Sequence, residues 1–520
     1  MAGIKSLAKD TAIYGLSSIV GRFLNWCLVP LYTYVFPSGE YGKVSFLYSL
    51  TAVALVKLNY GMETGFFRYA NKERDPMRVY STSLVSVGAT SLLFITAVTL
   101  LLGPVSRALL MPDGSLYIGL LAVTVAVDAF TNIPFAYLRF RSRPVRFALI
   151  KCTNVAVNIS LNLFFILLCP LISGSSASWL IDWFYAPAGG ADFGIGWIFV
   201  ANILSTLVVL AMLLPEVVKV KCTFDTALWR RMLSYSWPLL ILGVAGILSQ
   251  NMGQTLIPYL FPDDATAAQS MVGVYSANMK IALVMVMFTQ AFRYAYEPFI
   301  FAQARGKGED KTQAYCDAMK FFVIFGLLIF LGVMYYLPVL RHFISRGYWE
   351  GLRVVPVMML AELCFGVFFN LSLWYKLTDR TRWGMYFSLA VFVMMLALNV
   401  WLVPAIGIPD GYMGSAYAAL ASYAVIMVVS YFVGRHYYPL PYQVGRMATY
   451  AVVAAVLYFA GTLLPEEGGM LWLTYTVRTL LLAAYAVGVC VTENVPVISP
   501  LVRRLLRLLL RLRRHNTKTD

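Results

Sequence analysis

Long apolar segments, separated by short polar loops, run through the whole chain. About fourteen of them are long enough to cross a bilayer core of roughly 30 Å as helices. No stretch alternates apolar and polar residues over about ten positions often enough to indicate an outer-membrane barrel. The pattern predicts an all-α, polytopic membrane protein with about 14 transmembrane helices. The approximate limits of the segments are 11–36, 41–62, 80–103, 115–138, 146–170, 195–216, 233–260, 270–301, 316–338, 354–376, 382–403, 412–434, 446–464 and 470–492.

Positive charge is divided unevenly between alternate loops. Under the positive-inside rule, the richer side is cytoplasmic, so both the N- and the C-terminus are predicted to be cytoplasmic. Two cytoplasmic termini require an even number of spans, which agrees with the segment count. The opposite loops carry Arg107, Arg341, Arg346 and Arg353. The richer set begins with Lys5, Lys9, Arg68, Lys72, Arg74, Arg78, Arg139, Arg141, Arg143, Arg146, Lys219, Lys221, Arg230 and Arg231, and it continues to the C-terminal tail.

A weak internal repeat relates the first and seventh predicted helices. The two copies are VPLYTYVFPSGEYGKVSF, beginning at Val29, and IPYLFPDDATAAQSMVGVYS, beginning at Ile257. The matched positions are Pro30 with Pro258, Pro37 with Pro262, Gly42 with Gly273 and Ser45 with Ser276. Copies that begin at helices one and seven have the same orientation, so the two lobes would be related by an axis along the membrane normal. We therefore predict an N-lobe of helices 1–6 (residues 1–218), a C-lobe of helices 7–12 (219–438) and two extra helices, 13 and 14 (439–498).

The last residues, 499–520, are basic and rich in leucine. As a helix, this tail would present Arg503, Arg507, Arg511 and Arg514 on one stripe opposite leucines. Such a basic amphipathic helix is typical of segments that lie on an anionic cytoplasmic leaflet. A basic tail that only fixes topology has the same composition, so the pattern leaves both interpretations open.

Composition agrees with a membrane protein and narrows the chemistry. The 520 residues are 60% hydrophobic and 13% charged, whereas soluble domains carry about 25% charge. The seven cysteines are scattered and the three histidines lie in loops or the tail, so we expect no disulfide framework and no metal site. We also expect no cofactor, apart from a coupling ion such as H⁺ or Na⁺. The net charge of +16 follows from the basic loops, and no nucleic-acid partner is expected.

The segment from Met271 to Phe301 is the most informative one, because it is long and apolar yet carries charged residues. Lys280 lies near its middle, and Arg293 and Glu297 lie nearer its second end. A charge at the centre of a membrane helix costs about 2.5–3.5 kcal/mol on insertion scales. Such a residue usually faces a bundle interior or a water-filled cavity. The segment therefore predicts a cavity with cationic character.

The candidate ligands include two further cations within predicted helices, Arg22 in helix one and Lys57 in helix two. Arg22 and Lys280 lie near mid-depth, where an uncompensated cation indicates an anionic ligand. Phosphate or pyrophosphate fits best, because arginine offers a bidentate fork and lysine a point charge. Lys57 could instead snorkel to the nearby cytoplasmic boundary. Arg293 could form a local ion pair with Glu297, four residues further on.

Amides and acids complete the candidate site. Membrane amides more often form interhelical hydrogen bonds than substrate contacts, so a structural role stays open for each of them. Three asparagines recur every four residues and share one helix face, namely Asn154, Asn158 and Asn162. The amides predicted to bind substrate are Asn25, Asn154 and Gln250. The acids that could exchange the coupling ion, or equally act as counter-ions for a cation, are Asp128, Glu297 and Glu362.

Motifs spread along nearly the whole chain resemble one family. They are YGMETGFFRYA (from Tyr60), SYSWPLL (from Ser234), VGVYSANMKIA (from Val272), AFRYAYEPFIF (from Ala291), NLSLWYKLTDRT (from Asn370), NVWLVPAIGIPDGYMGSAYAALASY (from Asn399) and HYYPLPY (from His436). These segments resemble the polysaccharide flippases of the multidrug/oligosaccharidyl-lipid/polysaccharide exporter superfamily. The likeness is greatest to the O-antigen and capsule repeat-unit translocases of bacteria.

The resemblance implies a fourteen-helix, two-lobed, V-shaped transporter that works by alternating access and is not an enzyme. Its substrate would be an undecaprenyl-pyrophosphate-linked oligosaccharide, moved from the cytoplasmic to the periplasmic leaflet of the bacterial inner membrane. The cavity residues would include Arg22, Lys57, Lys280 and Arg293. Its partners would be the lipid-linked oligosaccharide, membrane lipids and the polysaccharide polymerase machinery of O-antigen, lipopolysaccharide or capsule synthesis.

Other functions stay open on the sequence. A lipid II flippase or a cation-coupled multidrug exporter of the same superfamily would share the fold, although an exporter of cationic drugs favours an acidic cavity. A membrane glycosyltransferase or polymerase would need acidic catalytic residues in an outer loop or domain. Transport is preferred, because the acids of the outer loops are scattered: Asp182, Asp192, Asp263, Asp264, Glu466 and Glu467.

Overall fold

The structure is a computed structural model. It describes residues 21, 23–176, 178–220, 223–304, 310–378, 380, 382–464 and 471–493, with the side chains of 295, 297–304, 310, 311 and 376 excepted. These residues form helices joined by turns, and no strand occurs among them.

The α-helices, numbered along the chain, differ widely in length. Some are short pieces that continue or precede a long one, and a π-helical turn, Phe164–Leu168, joins two of them. The 3₁₀ turns are Pro112–Gly114, Ser178–Leu180, Gly190–Phe193, Pro262–Asp264, Arg341–Phe343 and Arg346–Arg353. The α-helices are α1 Leu28–Val35, α2 Ser38–Asn59, α3 Met62–Ala70, α4 Pro76–Leu100, α5 Leu102–Ala108, α6 Ser115–Phe140, α7 Pro144–Leu163, α8 Cys169–Ser173, α9 Gly196–Val218, α10 Thr226–Gln250, α11 Met252–Leu260, α12 Ala265–Ala304, α13 Asp310–Tyr335, α14 Leu337–Leu340, α15 Val354–Leu371, α16 Leu373–Leu377, α17 Arg382–Ile406, α18 Tyr412–Tyr437, α19 Val444–Thr462 and α20 Leu471–Thr492.

Twelve helical stretches among the described residues are long and apolar enough to cross a membrane. A shorter apolar stretch, Phe23–Val35, occupies the place of the first predicted span. The second predicted span is α2, a helix of 22 residues that carries Glu40, Lys43 and Lys57. The prediction of an all-α protein with about 14 transmembrane helices is therefore confirmed.

Helix ends differ from the predicted spans where a polar residue caps the helix. Asp225 accepts hydrogen bonds from the backbone nitrogens of Ala227 and Leu228, at 3.0 and 3.1 Å, so α10 begins before the predicted limit of 233. Hydropathy marks where the apolar part begins, whereas the helix begins at its cap. The seventh segment also breaks into α10 and α11 at Asn251, whose side chain donates to the Ile247 carbonyl at 3.0 Å.

The chain divides into two compact units. Unit 1 comprises residues 1–280, 344–354 and 381–422, and unit 2 comprises 281–343, 355–380 and 423–520. The predicted lobes, 1–218 and 219–438, stay a prediction, because packing within one conformation does not test which helices move together. The same holds for the extra helices of 439–498, and the tail of 499–520 lies outside the described residues.

The core of unit 1 combines apolar packing with satisfied polar groups. The hydroxyls of Tyr60 and Ser86 lie 2.6 Å apart, and Trp229 Nε1 donates to Ser86 Oγ at 2.8 Å. These bonds tie α4 to α10 inside an apolar cluster, where an unpaired polar group would be costly. The fully buried members of the cluster include Met62, Phe66, Val79, Tyr80, Val87, Ala129 and Ile133.

The helices α2 and α12 touch at two glycines. A Cβ on Gly42 would lie 1.7 Å from the Gln269 carbonyl oxygen, and a Cβ on Gly273 would lie 1.9 Å from the Ser38 carbonyl oxygen. The hydroxyls of Ser38 and Ser270 lie 2.6 Å apart at the same contact. Gly42 and Gly273 are matched positions of the internal repeat, so its two copies meet where small residues let the backbones approach.

Replacing Gly42 with alanine tests this contact. The new Cβ would meet a backbone carbonyl that cannot rotate away, so we expect a loss of stability of about 1–3 kcal/mol or more, as for overpacked cores. Thermal unfolding of the purified membrane protein measures the loss. Gly39→Ala is the matched control on the same helix, because nothing lies within 4 Å of its added Cβ. Equal unfolding temperatures for the two variants would contradict the close approach.

Unit 2 contains a buried ion pair between Lys320, within α13, and Glu493, which directly follows α20. Lys320 donates to Glu493, and the side chains of the two residues are each 5% exposed. The Tyr450 hydroxyl in α19 donates to the same carboxylate at 2.6 Å. The pair and the tyrosine therefore attach the last two helices to α13.

The Glu493 carboxylate gives a pH dependence whose sign can be derived. Burial raises its pKa, but hydrogen bonds from Lys320 and Tyr450 outweigh burial and hold the pKa below its usual value. The stabilisation is therefore present above the unfolded-state pKa of about 4.3 and is lost as the pH falls through the folded-state pKa. We expect the gap in unfolding temperature between wild type and Glu493→Gln to be largest near neutral pH and to close on acidification. Glu350→Gln removes an exposed carboxylate as a control, and a gap that widens in acid would contradict the assignment.

Candidate functional site

A polar cavity of about 330 Å³ lies in unit 1. Parts of α1, α2, α7, α9, α11 and α12 surround it. Amides, tyrosines and serines make up most of its polar lining, with one charged side chain among the described lining residues. The lining residues are Asn25, Leu28, Val29, Tyr32, Tyr41, Val44, Ser45, Tyr48, Ser49, Asn158, Asn202, Asn251, Gln254 and Lys280.

Lys280 supplies the positive charge of this cavity. It lies in α12 and is half-buried, and its carbonyl accepts a hydrogen bond from Trp26 Nε1 at 2.7 Å. No acidic side chain pairs with Lys280 in the part of the chain that the structure describes. An ammonium group in such a place can bind an anion, because the surrounding protein screens the interaction less than bulk water does.

A chain of hydrogen bonds orders one wall of the cavity. The Tyr32 hydroxyl donates to Asn162 Oδ1 at 2.9 Å, and Asn162 Nδ2 donates to Asn158 Oδ1 at 3.1 Å. Asn158 Nδ2 then donates to Asn25 Oδ1 at 3.4 Å. Asn162 is 1% exposed and lies behind the lining. This network fixes the amides of Asn25 and Asn158 in the cavity wall.

Further polar groups of the wall come from α2, α9 and α11. Asn202 Nδ2 donates to the Tyr48 hydroxyl at 3.0 Å, and the Thr255 hydroxyl donates to Ser49 Oγ at 3.0 Å. These bonds satisfy buried groups and hold the tyrosine and serine side chains in place. The cavity therefore offers fixed donors and acceptors around a single lysine, an arrangement suited to an anionic ligand rich in hydroxyls.

The structure brings some of the predicted substrate ligands together in one cavity and places others elsewhere. Lys280 and Asn25 line the cavity together. Lys57 and Gln250 are exposed and Asn154 is half-buried, and none of these three is among the cavity residues. Their predicted role as ligands of one cavity finds no support in the geometry and stays a prediction.

The remaining predicted cations fall elsewhere. Arg293 belongs to unit 2, where its guanidinium carbon lies 4.7 Å from the centre of the Phe369 ring. Arg22 lies outside the described residues, as does the side chain of Glu297. The predicted Arg293–Glu297 pair and the role of Arg22 therefore stay predictions.

The acids predicted for ion coupling lie in separate units. Asp128 in α6 accepts a hydrogen bond from Thr206 Oγ1 at 3.2 Å and is close enough to Lys151 to interact electrostatically. This neighbour agrees with the counter-ion alternative for Asp128. Glu362 is half-buried in α15 of unit 2. Ion exchange by either residue stays a prediction.

Several lining residues were missing from the predicted set. The sequence does contain a signal for α2, because Tyr41, Ser45 and Tyr48 recur at helical spacing in an apolar segment. Asn202 is an amide within the apolar helix α9. Tyr32 gave no such signal, since a tyrosine in a membrane helix is more often an interfacial anchor.

No group of three or more His, Cys, Asp or Glu side chains that could hold a metal ion occurs in the described ranges. The expectation of no metal site and no cofactor stays a prediction, because the structure carries no ligands.

Comparison with known proteins decides the family. Residues 7–301, more than half of the chain, match the family model described as "Polysaccharide biosynthesis protein". The chain belongs to this polysaccharide biosynthesis protein family. Its membership confirms the predicted resemblance to polysaccharide flippases of the multidrug/oligosaccharidyl-lipid/polysaccharide exporter superfamily. No curated protein matches the chain.

Solved structures show that this polysaccharide biosynthesis protein shares its fold with known transporters. The lipid II flippase MurJ, in an inward closed conformation, is similar with a TM-score of 0.68 and 10% identity over 93% of this chain and 99% of its own. An inward-facing multidrug resistance MATE family transporter of the MOP superfamily is similar with a TM-score of 0.59 and 14% identity over 82% of this chain and 94% of its own. The protein therefore shares the fold of these multi-pass membrane transporters. The expectation that it is not an enzyme stays a prediction.

Asn162→Ala tests the ordered wall of the cavity. The substitution leaves the Tyr32 hydroxyl without its acceptor, so we expect a loss of about 1–3 kcal/mol of stability, measured by thermal unfolding. Asn154→Ala is the matched control two turns earlier in α7, where no side-chain hydrogen bond occurs among the described residues. If both variants unfold at the same temperature, the network does not order the wall.

Proposed function

We propose that this protein is a flippase that moves undecaprenyl-pyrophosphate-linked oligosaccharide units from the cytoplasmic to the periplasmic leaflet by alternating access. The observation that carries the proposal is Lys280, a lysine of a long apolar helix that lines a polar cavity without an acidic partner in the described part of the chain. Family membership supports polysaccharide biosynthesis as the process.

The headgroup of the substrate would bind at Lys280. Pyrophosphate carries concentrated negative charge, and the lysine ammonium offers a point charge with three donors. In a partly enclosed cavity this attraction is stronger than at a protein surface, because protein screens it less than bulk water does. Arg22, three residues before the lining residue Asn25, would supply a second cation as a bidentate ligand.

The sugar part of the substrate would occupy the amide- and hydroxyl-rich wall. Sugar hydroxyls both donate and accept hydrogen bonds, and the side chains of Asn25, Asn158 and Tyr48 provide both kinds of partner. The prenyl tail would stay in the lipid, where its burial costs nothing. This division matches a ligand with a charged, a polar and an apolar part.

Location and coupling belong to the same proposal. The protein would reside in the bacterial inner membrane with both termini cytoplasmic, as the basic loops predict. Exchange of H⁺ or Na⁺ at Asp128, Glu297 or Glu362 would supply the energy. Polysaccharide polymerase machinery would receive the translocated O-antigen or capsule unit.

The cavity lining favours a pyrophosphate-linked sugar lipid over a cationic drug and over an enzymatic function. An exporter of cationic drugs needs an acidic site, and no acidic residue is among the described lining residues. A glycosyltransferase or polymerase needs a catalytic carboxylate near the sugar, which the same lining lacks. Lipid II is also a pyrophosphate-linked sugar lipid, so fold and charge suit it equally and the experiment must measure both substrates.

Lys280→Ala is the direct test. In a leaflet-resolved assay, we expect lipid-linked oligosaccharide to accumulate on the cytoplasmic leaflet and translocation to fall at least about tenfold, because the variant cannot form the charge-assisted hydrogen bond. Lys280→Arg keeps the charge and should retain more activity than the alanine variant. Each variant is first shown to reach the membrane in equal amount.

Lys72→Ala is the matched control, because it removes one positive charge from an exposed turn. Its translocation should equal that of the wild type. Unchanged translocation by Lys280→Ala would overturn the cationic-cavity proposal. Translocation of lipid II alone by the wild type would overturn the substrate class while leaving the cavity chemistry intact.

A further inference from the structure

A second basic site lies at the end of unit 1 where α6 and α9 end and where α4 and α7 begin. A pocket of about 140 Å³ occurs there in unit 1. It lies beside the loops that carry the excess of arginine and lysine. The pocket is lined by Met77, Tyr137, Leu138, Arg141, Arg143, Glu216 and Lys219.

The rim of the pocket carries unpaired positive charge. Arg141, Arg143 and Lys219 are exposed, and no ion pair joins them to an acid in the part of the chain described. The acid of the pocket, Glu216, is 4% exposed and is paired with Arg146. Each terminal nitrogen of the Arg146 guanidinium lies 2.8 Å from one carboxylate oxygen of Glu216. The three rim cations are therefore left to an external anion.

A tight backbone turn carries the two arginines. Ser142 adopts φ +50°, and the nitrogen of Arg143 donates to the Leu138 carbonyl at 3.0 Å, which closes the end of α6. The turn places Arg141 and Arg143 on either side of Ser142 at the pocket. A pair of neighbouring guanidinium groups suits phosphate, which accepts bidentate hydrogen bonds.

The inner wall of the pocket is apolar and rigid. Leu138 is 1% exposed, and the ring of Tyr137 stacks on buried Tyr80 with centroids 4.3 Å apart. Met77 is an exposed apolar side chain, 40% accessible, at the edge of the pocket. An apolar wall beneath a cationic rim favours an amphiphile over a free phosphate ion.

From this combination we propose that the pocket binds the headgroup of an anionic phospholipid in the leaflet next to the basic loops. The rim arginines and Lys219 contact the phosphate, and Met77 with Leu138 contacts the start of the glycerol and acyl region. Basic pockets between transmembrane helices next to the headgroup region are suited to anionic lipids. The site is independent of the Lys280 cavity and of its cargo.

The test is a lipid titration of the full-length protein in neutral detergent. Short-chain phosphatidylglycerol is the probe, with short-chain phosphatidylcholine and water-soluble glycerol phosphate as comparison ligands. Thermal unfolding gives the affinity, since a ligand that binds the native state raises the unfolding temperature. We expect Arg141→Gln, Arg143→Gln and Lys219→Gln together to weaken phosphatidylglycerol binding at least about tenfold, because neutral amides cannot form charge-assisted hydrogen bonds with the phosphate.

The matched control removes the same charge from the same end of the unit. Lys72→Gln, Arg74→Gln and Arg230→Gln together alter exposed residues that line none of the described pockets, and this variant should bind phosphatidylglycerol like the wild type. Equal weakening in both triple variants would mean that only the general surface charge attracts the lipid, and it would overturn the site.

Two further results decide the nature of the ligand. Glycerol phosphate that binds as tightly as phosphatidylglycerol would overturn the lipid assignment in favour of a free phosphate site. In the wild type alone, added salt should weaken phosphatidylglycerol binding, because the rim charges are exposed and screened. Binding that is insensitive to salt would also contradict the proposal, and this measurement does not depend on the folding of any variant.

Discussion

A lysine in the middle of a membrane helix needs polar groups or water around its ammonium, because lipid offers neither. Lys280 meets this need at the cavity of unit 1, where α7 and α9 contribute asparagines and α2 contributes tyrosines and serines. Those side chains are themselves bonded to one another, so the wall keeps its shape without a ligand. The placement of these helices around α12 is therefore tied to the solvation of one charge. The same charge is the basis of the proposed preference for an anionic ligand.

The spacing between α2 and α12 is set by the absence of two side chains. Gly42 and Gly273 let the backbones meet, since any Cβ there would overlap a carbonyl group. Tyr41 and Ser45 flank Gly42 on α2 and line the cavity, and Lys280 follows Gly273 on α12 by about two helical turns. A larger residue at either glycine would move the lysine away from the polar wall that solvates it. Helix packing and ligand chemistry thus depend on the same contact.

The basic end of unit 1 uses its charges in two ways. Arg146 with Glu216 and Arg78 with Asp225 are ion pairs that join helix ends. Arg141, Arg143 and Lys219 form the rim of a separate pocket instead. Both kinds of basic group lie at the end of unit 1 where α6 ends, with Arg139 in its last turn. The proposed lipid site would thus use charges that also enter the topology prediction.

The sequence by itself determined the helical class and the approximate spans, because both follow from which residues are apolar. The anionic character of the ligand stays a prediction, drawn from the charge that interrupts one apolar segment. The sequence also indicated Lys280 and Asn25, whose cavity position the structure shows. The tertiary structure decided which neighbouring amides face the ligand. Asn158 lines the cavity and Asn154 does not, since the two share a face of α7 but differ in depth. Gln254 lines the cavity and Gln250 does not, because the helix breaks at Asn251 between them. Local hydropathy does not reveal such a break.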